Sequence, residues 1–191
     1  MGATKSKIPF TYADYKSLPE AMDRRYELMD GELCLVPAPT TLHQFVSQNI
    51  EMLLVAHVRA ARCGTVLHAP VDVVLGEGDD RDVLQPDIVF VSRERTSIVA
   101  LAEVAGAPDL VIEILSRGTK TRDRGYKKTR YERARVREYW IVDPDRETVD
   151  VFHLGPEGFA PAAHYGPGDE LACAVLVGFR ALVDELFKRW D

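Results

Sequence analysis

Cysteine is scarce in this 191-residue chain: Cys34, Cys63 and Cys173 lie far apart with no C-x-x-C pair, which excludes a disulfide framework and a zinc ribbon. The histidines, His43, His57, His68, His153 and His164, show no zinc spacing. No stretch reaches the ~20 uninterrupted apolar residues of a membrane span, and the segment from Met1 to Phe10 carries lysines but no apolar core of a secretion signal. The expectation is a protein with no membrane segment that works in a reducing cytoplasm. An excess of positive charge is lacking as well: a formal net charge of −6 argues against a protein that coats nucleic acid through bulk charge. Gly76-x-Gly78 and the Gly155 to Gly158 segment lack the strand and helix flanks of a nucleotide-binding glycine motif. Repeats, low-complexity tracts and linkers are missing too, so a single domain over residues 1–191 is expected.

What is present is an ordinary core-forming composition, 46% hydrophobic and 28% charged. The charge is unevenly placed. Between Arg117 and Arg137 stand ten basic residues (Arg117, Lys120, Arg122, Arg124, Lys127, Lys128, Arg130, Arg133, Arg135, Arg137) against two acids, Asp123 and Glu132. An acidic chain thus carries one strongly basic element.

Thr11 with Asp14 three residues on predicts a short helix start, closed by Pro19. Tyr26 to Met29, Asp30-Gly31 and Glu32 to Val36 read as a tight hairpin. Apolar residues from Leu42 to Val58 recur at helical spacing and predict a long helix ending near Gly64. Strands are expected at Thr65–Leu67, Val71–Leu75, Ile88–Val91 and Asp109–Leu115, with a polar turn from Gly76 to Asp82. A helix from Thr121 to about Val136, strands at Tyr139–Val142 and Glu147–Leu154, a weak strand near Leu171–Leu176 and a closing helix from Ala181 to Arg189 complete the pattern. One mixed sheet flanked by helices is the architecture these elements imply.

Three residues could carry chemistry. Asp87, after Pro86 at the mouth of an apolar strand, reads by itself more readily as a turn or cap residue than as a ligand. Glu113 is more informative, because period two sets it on the face shared by Val111 and Leu115. A carboxylate inside an apolar strand needs a cation, a metal or an open cleft, although a solvated strand edge or a nearby arginine would also satisfy it. On the following helix, Lys127, Tyr131, Ala134 and Glu138 line one side, and Tyr126, Arg130, Arg133 and Arg137 another. The first face can return Lys127 to Glu113. The arginine stripe is either a solvated face or a phosphate-binding one. Two carboxylates and a lysine are what phosphodiester hydrolysis needs: the carboxylates hold a hard divalent cation, and the lysine positions water and offsets developing charge. His43, at the start of the long helix, could line the cleft or serve as a capping or packing residue.

The strings Gln85-Pro86-Asp87-Ile88, Asp109 to Ser116, Asp123-Arg124-Gly125-x-Lys127-x-x-x-Tyr131 and Val136 to Pro144 resemble the Uma-type restriction endonucleases, long catalogued as a domain of unknown function within the PD-(D/E)XK nuclease superfamily. Tyr26 to Leu33 and Pro37 to His43 fit the same pattern. The resemblance implies an α/β fold with a restriction-endonuclease-like mixed sheet flanked by helices and β-hairpin additions at both ends. It implies Asp87 and Glu113 as ligands for Mg²⁺, with Mn²⁺ as a substitute, and Glu27 as an assisting acid. The superfamily's usual lysine position, two residues after the acid, is held here by Leu115. The resemblance assigns the ammonium to Lys127, with Lys128 as the fallback. Arg135 stands where a glycine is usual, so a differently shaped helix end is expected. The expected activity is metal-dependent hydrolysis of DNA, with Lys128, Arg130, Arg133 and Arg137 on the backbone. A homodimer suits two-strand cleavage. The rival expectations are a catalytically silent nucleic-acid-binding module and a hydrolase of another phosphate ester.

Overall fold

The structure, a computed structural model, describes residues 8–19, 25–78, 80–116 and 118–189. Helix α1 (Tyr12–Lys16) opens with the capping box formed by Thr11 and Asp14. Strands β1 (Arg25–Met29) and β2 (Glu32–Val36) pair in antiparallel register. Their two-residue turn places Asp30 and Gly31 at φ 49° and 70°, the left-handed geometry that an Asp-Gly pair supplies cheaply. Helix α2 (Thr41–Ala61) follows and buries Val46, Ile50, Leu54 and Val58, one stripe at helical spacing.

Next come β3 (Gly64–His68), β4 (Val73–Leu75), β5 (Asp82–Leu84), β6 (Ile88–Ser92), a 3₁₀ turn at Arg93–Ile98, β7 (Val104–Ala105) and β8 (Leu110–Ile114). Helical turns α3 (Lys120–Arg122) and α4 (Lys128–Arg133) flank a π-helical segment at Asp123–Lys127. The chain continues through β9 (Glu138–Asp143), β10 (Thr148–Gly155), β11 (Gly158–Phe159), β12 (Ala163–Tyr165), β13 (Glu170–Ala172), β14 (Arg180–Leu182) and α5 (Val183–Phe187).

Two principal sheets form where one was expected. The larger runs β11-β10-β9-β8-β6-β3 with β12 beside β10, and β8 and β9 are parallel at its centre. The smaller runs β2-β1-β5-β4-β7. Period two in the central strands separates the two cores. Ile88, Phe90, Ile112, Ile114, Trp140 and Val142 pack with α2 and α5. Val89, Val91, Val111, Tyr139 and Ile141 face the smaller sheet and Tyr131 of α4. Glu113 shares this second face.

The polar Gly76 to Asp82 turn is shorter than expected because Asp82 is already in β5. Its carboxylate is neutralised there by the backbone N–H of Asp30, the Tyr126 hydroxyl and Arg130, which removes the usual objection to Asp in a strand. The basic helix stops three residues early, at Arg133. Val136 N–H bonds to Tyr131 O, Arg135 N–H bonds to Glu132 O, and Arg135 lies at φ 66°. This is a Schellman ending, and its left-handed position explains why glycine is usual there. Arg137 and Glu138 therefore lie off the helix, so the continuous face drawn through Arg130, Arg133 and Arg137 does not form. At the chain's end, Arg180–Leu182 pairs with β13, so the closing helix begins two residues later than expected.

Candidate active site

The floor of the site is built where β6 and β8 part. In their antiparallel register Ile88 lies opposite Ile112, and one step further the chain brings Asp87 towards Glu113. Asp87 Oδ2 accepts the Ile114 N–H at 2.7 Å, so a side chain continues the ladder. On its other side the same oxygen lies 3.2 Å from His43 Nε2. An ionised carboxylate can only accept, so Nε2 carries the proton. The first turn of α2 delivers His43, while Thr40 caps that helix.

Glu27 arrives from β1. Its Oε1 accepts the Gln85 N–H at 2.8 Å, which anchors the residue pair that leads into Asp87. Lys127 closes the floor from the π-helical segment, with Nζ 2.7 Å from Glu27 Oε1, 3.0 Å from Glu113 Oε1 and 3.7 Å from Asp123 Oδ1. Lys127 thus reaches the floor from the segment that follows β8, and Leu115 belongs to the apolar core. π-Segments are frequent at functional sites because they re-aim side chains. Here the segment buries both of its chemically active members, Asp123 and Lys127, while Tyr131, one turn on, donates its hydroxyl to Glu113 Oε1 at 2.7 Å.

Three carboxylates, Glu27, Glu113 and Asp123, therefore surround one ammonium, with Asp87 next to Glu113. Burial, followed by the charges of Asp123, Asp87 and Glu27, pushes the Glu113 carboxyl well above the ordinary range against the pull of Lys127. Asp123 is raised for the same reasons, and neither of its oxygens meets a hydrogen-bond partner. Burial alone would lower Lys127, yet Glu113, Glu27 and Asp123 drive it above the usual lysine value and keep it charged. Burial would also lower His43, but its bond to Asp87 and the charge of that residue raise it.

Such an excess of negative charge fits a divalent cation. Asp87 Oδ1 and Glu113 Oε2 carry no hydrogen bond among the described residues, and both side chains line the same cleft of about 500 Å³. No three His, Cys, Asp or Glu side chains among the described residues form a ready-made chelate. The fit is to an ion that keeps most of its water and takes one or two carboxylates.

The other expected contacts lie elsewhere. Arg130 Nε is 2.7 Å from Asp82 Oδ2, and its Nη2 bonds to Leu75 O and Asp80 O, so this arginine fastens the β4–β5 hairpin. Arg137 bonds to Asp109 at the opposite end of β8 from the cleft, roughly 13 Å along the strand. Lys128 sits over the Phe152 ring. Arg133 is exposed. None of the four lines the cleft, whereas Arg25 and Arg122 do. Sequence reasoning passed over Asp123 as a mere counter-charge to the basic run. The signal that could have found it is its spacing of four residues from Lys127, repeated from Lys127 to Tyr131.

This arrangement of strands and helices is the restriction-endonuclease-like fold. The structure superimposes on the crystal structure of "a putative nuclease belonging to DUF820" from Anabaena variabilis with a TM-score of 0.78, at 21% identity, over 94% of this chain and 98% of that one. The chain belongs to the Uma2 family, described as "Putative restriction endonuclease", whose profile matches residues 12–184. An uncharacterized protein of Synechocystis sp., slr1290, is 22% identical over 178 residues, spanning 92% of this chain and 90% of that protein. No helix among the described residues is long and apolar enough to cross a membrane.

Proposed function

We propose that this protein is a Mg²⁺-dependent endonuclease, with Mn²⁺ as a substitute, that hydrolyses DNA phosphodiester bonds at the cleft between α2 and the β1–β2 hairpin. The observation that carries this reading is the Lys127 ammonium held between Glu113 and Glu27 beside Asp87. Asp87 and Glu113 would hold the ion through the oxygens left free of hydrogen bonds. When bound, that ion polarises the phosphate and acidifies a coordinated water. Lys127 offsets the charge that builds on the phosphoryl oxygens and orients the attacking water. Glu27 fixes the Lys127 ammonium and, through Gln85, the backbone that leads into Asp87.

Arg25 and Arg122, which both line the cleft beside the end of β2, hold the phosphates next to the scissile bond. Lys128 and Arg133 remain for a longer substrate that extends past the cleft, while Arg130 is committed to Asp82 and Arg137 to Asp109. A pair of chains acting on two strands is compatible with this arrangement.

The test is incubation of supercoiled, linear and single-stranded DNA with the wild-type protein and MgCl₂ or MnCl₂, beside Asp87→Ala/Glu113→Ala and Lys127→Met. Metal-dependent cutting by the wild type, lost in both variants, is the expected result. Salt-sensitive binding of DNA without cutting under any of these conditions would instead identify a silent binding module.

A further inference from the structure

The two candidate ligands share a feature that the charge count does not capture: each has one oxygen engaged and one free. Glu113 Oε1 receives the Tyr131 hydroxyl at 2.7 Å and the Lys127 ammonium at 3.0 Å. Asp87 Oδ2 receives the Ile114 N–H at 2.7 Å and His43 Nε2 at 3.2 Å. The clamps are themselves rigid. Tyr131 is fully buried and packs on Tyr139, ring centroids 5.1 Å apart. Tyr139 in turn donates its hydroxyl to the Asp123 carbonyl on the π-segment. His43 is fixed at the capped first turn of a 21-residue helix, its side chain 11% exposed.

We propose that Tyr131 and His43 are positioning residues that set the ion selectivity of the cleft by holding Glu113 and Asp87 in one-oxygen presentation. This inference rests on the metal-binding reading above. Mg²⁺ and Mn²⁺ suit octahedral surroundings completed by water, and Mg²⁺ typically takes one oxygen from each of one or two carboxylates. Ca²⁺ takes six to eight oxygens at longer distance and gains from carboxylates that turn both oxygens towards it. A carboxylate whose second oxygen is pinned by a buried hydroxyl cannot turn without breaking a charge-assisted hydrogen bond. Ca²⁺ therefore bears a penalty at this site that Mg²⁺ does not. Tyr131→Phe removes the hydroxyl and keeps the ring, so Glu113 Oε1 is held by Lys127 alone and the carboxylate turns more readily towards the ion.

The measurement is calorimetric titration of the DNA-free protein with MgCl₂ and, separately, CaCl₂, with the thermal midpoint of each variant recorded to verify folding. In Tyr131→Phe the ratio of Ca²⁺ to Mg²⁺ association constants is expected to rise on the order of tenfold, the equivalent of one such hydrogen bond. His43→Ala, which loosens Asp87 instead, is expected to move the ratio in the same direction and serves as the test should Tyr131→Phe not fold. A role for Tyr131 that is merely structural would weaken both ions alike and leave the ratio unchanged, which would overturn the inference while the metal site stands. A wild-type protein that binds neither ion would overturn both.

Discussion

The two ends of strand β8 handle buried carboxylates in opposite ways. At its start, Asp109 is fully buried and saturated: it accepts the Ser92 N–H at 2.8 Å, Arg95 at 3.0 Å and Arg137 at 3.1 Å. Although burial opposes the charge, these bonds hold its carboxyl below the ordinary value. Close by, the buried Glu138 is also fully engaged, with Trp140 Nε1 and the N–H groups of Ala174 and Val175. At the other end, Glu113 and Asp123 are equally buried and both are raised. The same fold therefore neutralises acids where it needs only stability and leaves acids in excess where the cleft opens. That contrast is the one expected between a structural charge cluster and one prepared for a ligand.

Asp109→Ala leaves the Ser92 N–H and two arginines without their acceptor and is expected to cost about 3 kcal/mol in urea unfolding. A loss below about 1 kcal/mol would show that this end is no better compensated than the cleft. At the cleft the sign reverses. Asp123→Asn removes a charge that has no hydrogen-bonded partner, so the metal-free protein should gain about 1–2 kcal/mol at pH 7. The same variant should cleave DNA at least about tenfold more slowly, because Lys127 loses one of the charges that hold it.

Acid titration of stability sharpens the contrast further. The folded pKa of Asp109 is depressed, so the unfolded chain binds more protons. The stability it contributes is present above about pH 4 and is lost as pH falls through the folded value. The folded pKa of Asp123 is raised, so its cost is absent below about pH 4 and sets in as pH rises through the folded value. Consequently the gain from Asp123→Asn should vanish below about pH 4, while the deficit of Asp109→Asn should persist there and shrink only as pH falls further, through the depressed folded value. Equal pH slopes for the two variants in urea unfolding would remove the distinction. The smallest effect is expected from Arg135→Gly in the connector between the two ends. Relieving a left-handed arginine should stabilise by about 1 kcal/mol without changing any cleavage rate.

Much of this was legible in the sequence because it depends on local chemistry. The Asp-Gly turn, the Thr11 capping box and the apolar stripe of α2 each follow from neighbouring residues. Glu113 stood out because an acid interrupts an apolar period-two run, and Lys127 because a helix following directly on that strand can fold back onto it. What escaped depends on distant partners. Asp82 reads as turn chemistry until Arg130, Tyr126 and Asp30 are seen to neutralise it. The arginine stripe assumed an uninterrupted helix, which the Arg135 ending forbids. Asp123 looked like surface charge compensation because sequence spacing does not reveal the π-segment that buries it. The division into two sheets was hidden for a similar reason: β5 and β7 are too short to show a period.

On the proposed reading, the over-acidic cleft floor holds a divalent cation through Asp87 and Glu113. The most direct test of that reading is the thermal unfolding midpoint with and without millimolar MgCl₂ or MnCl₂, for the wild type and for Asp87→Asn/Glu113→Gln. The ion is expected to raise the wild-type midpoint by several degrees and to leave the variant unmoved. An equal shift in both proteins, or none in the wild type, would contradict it.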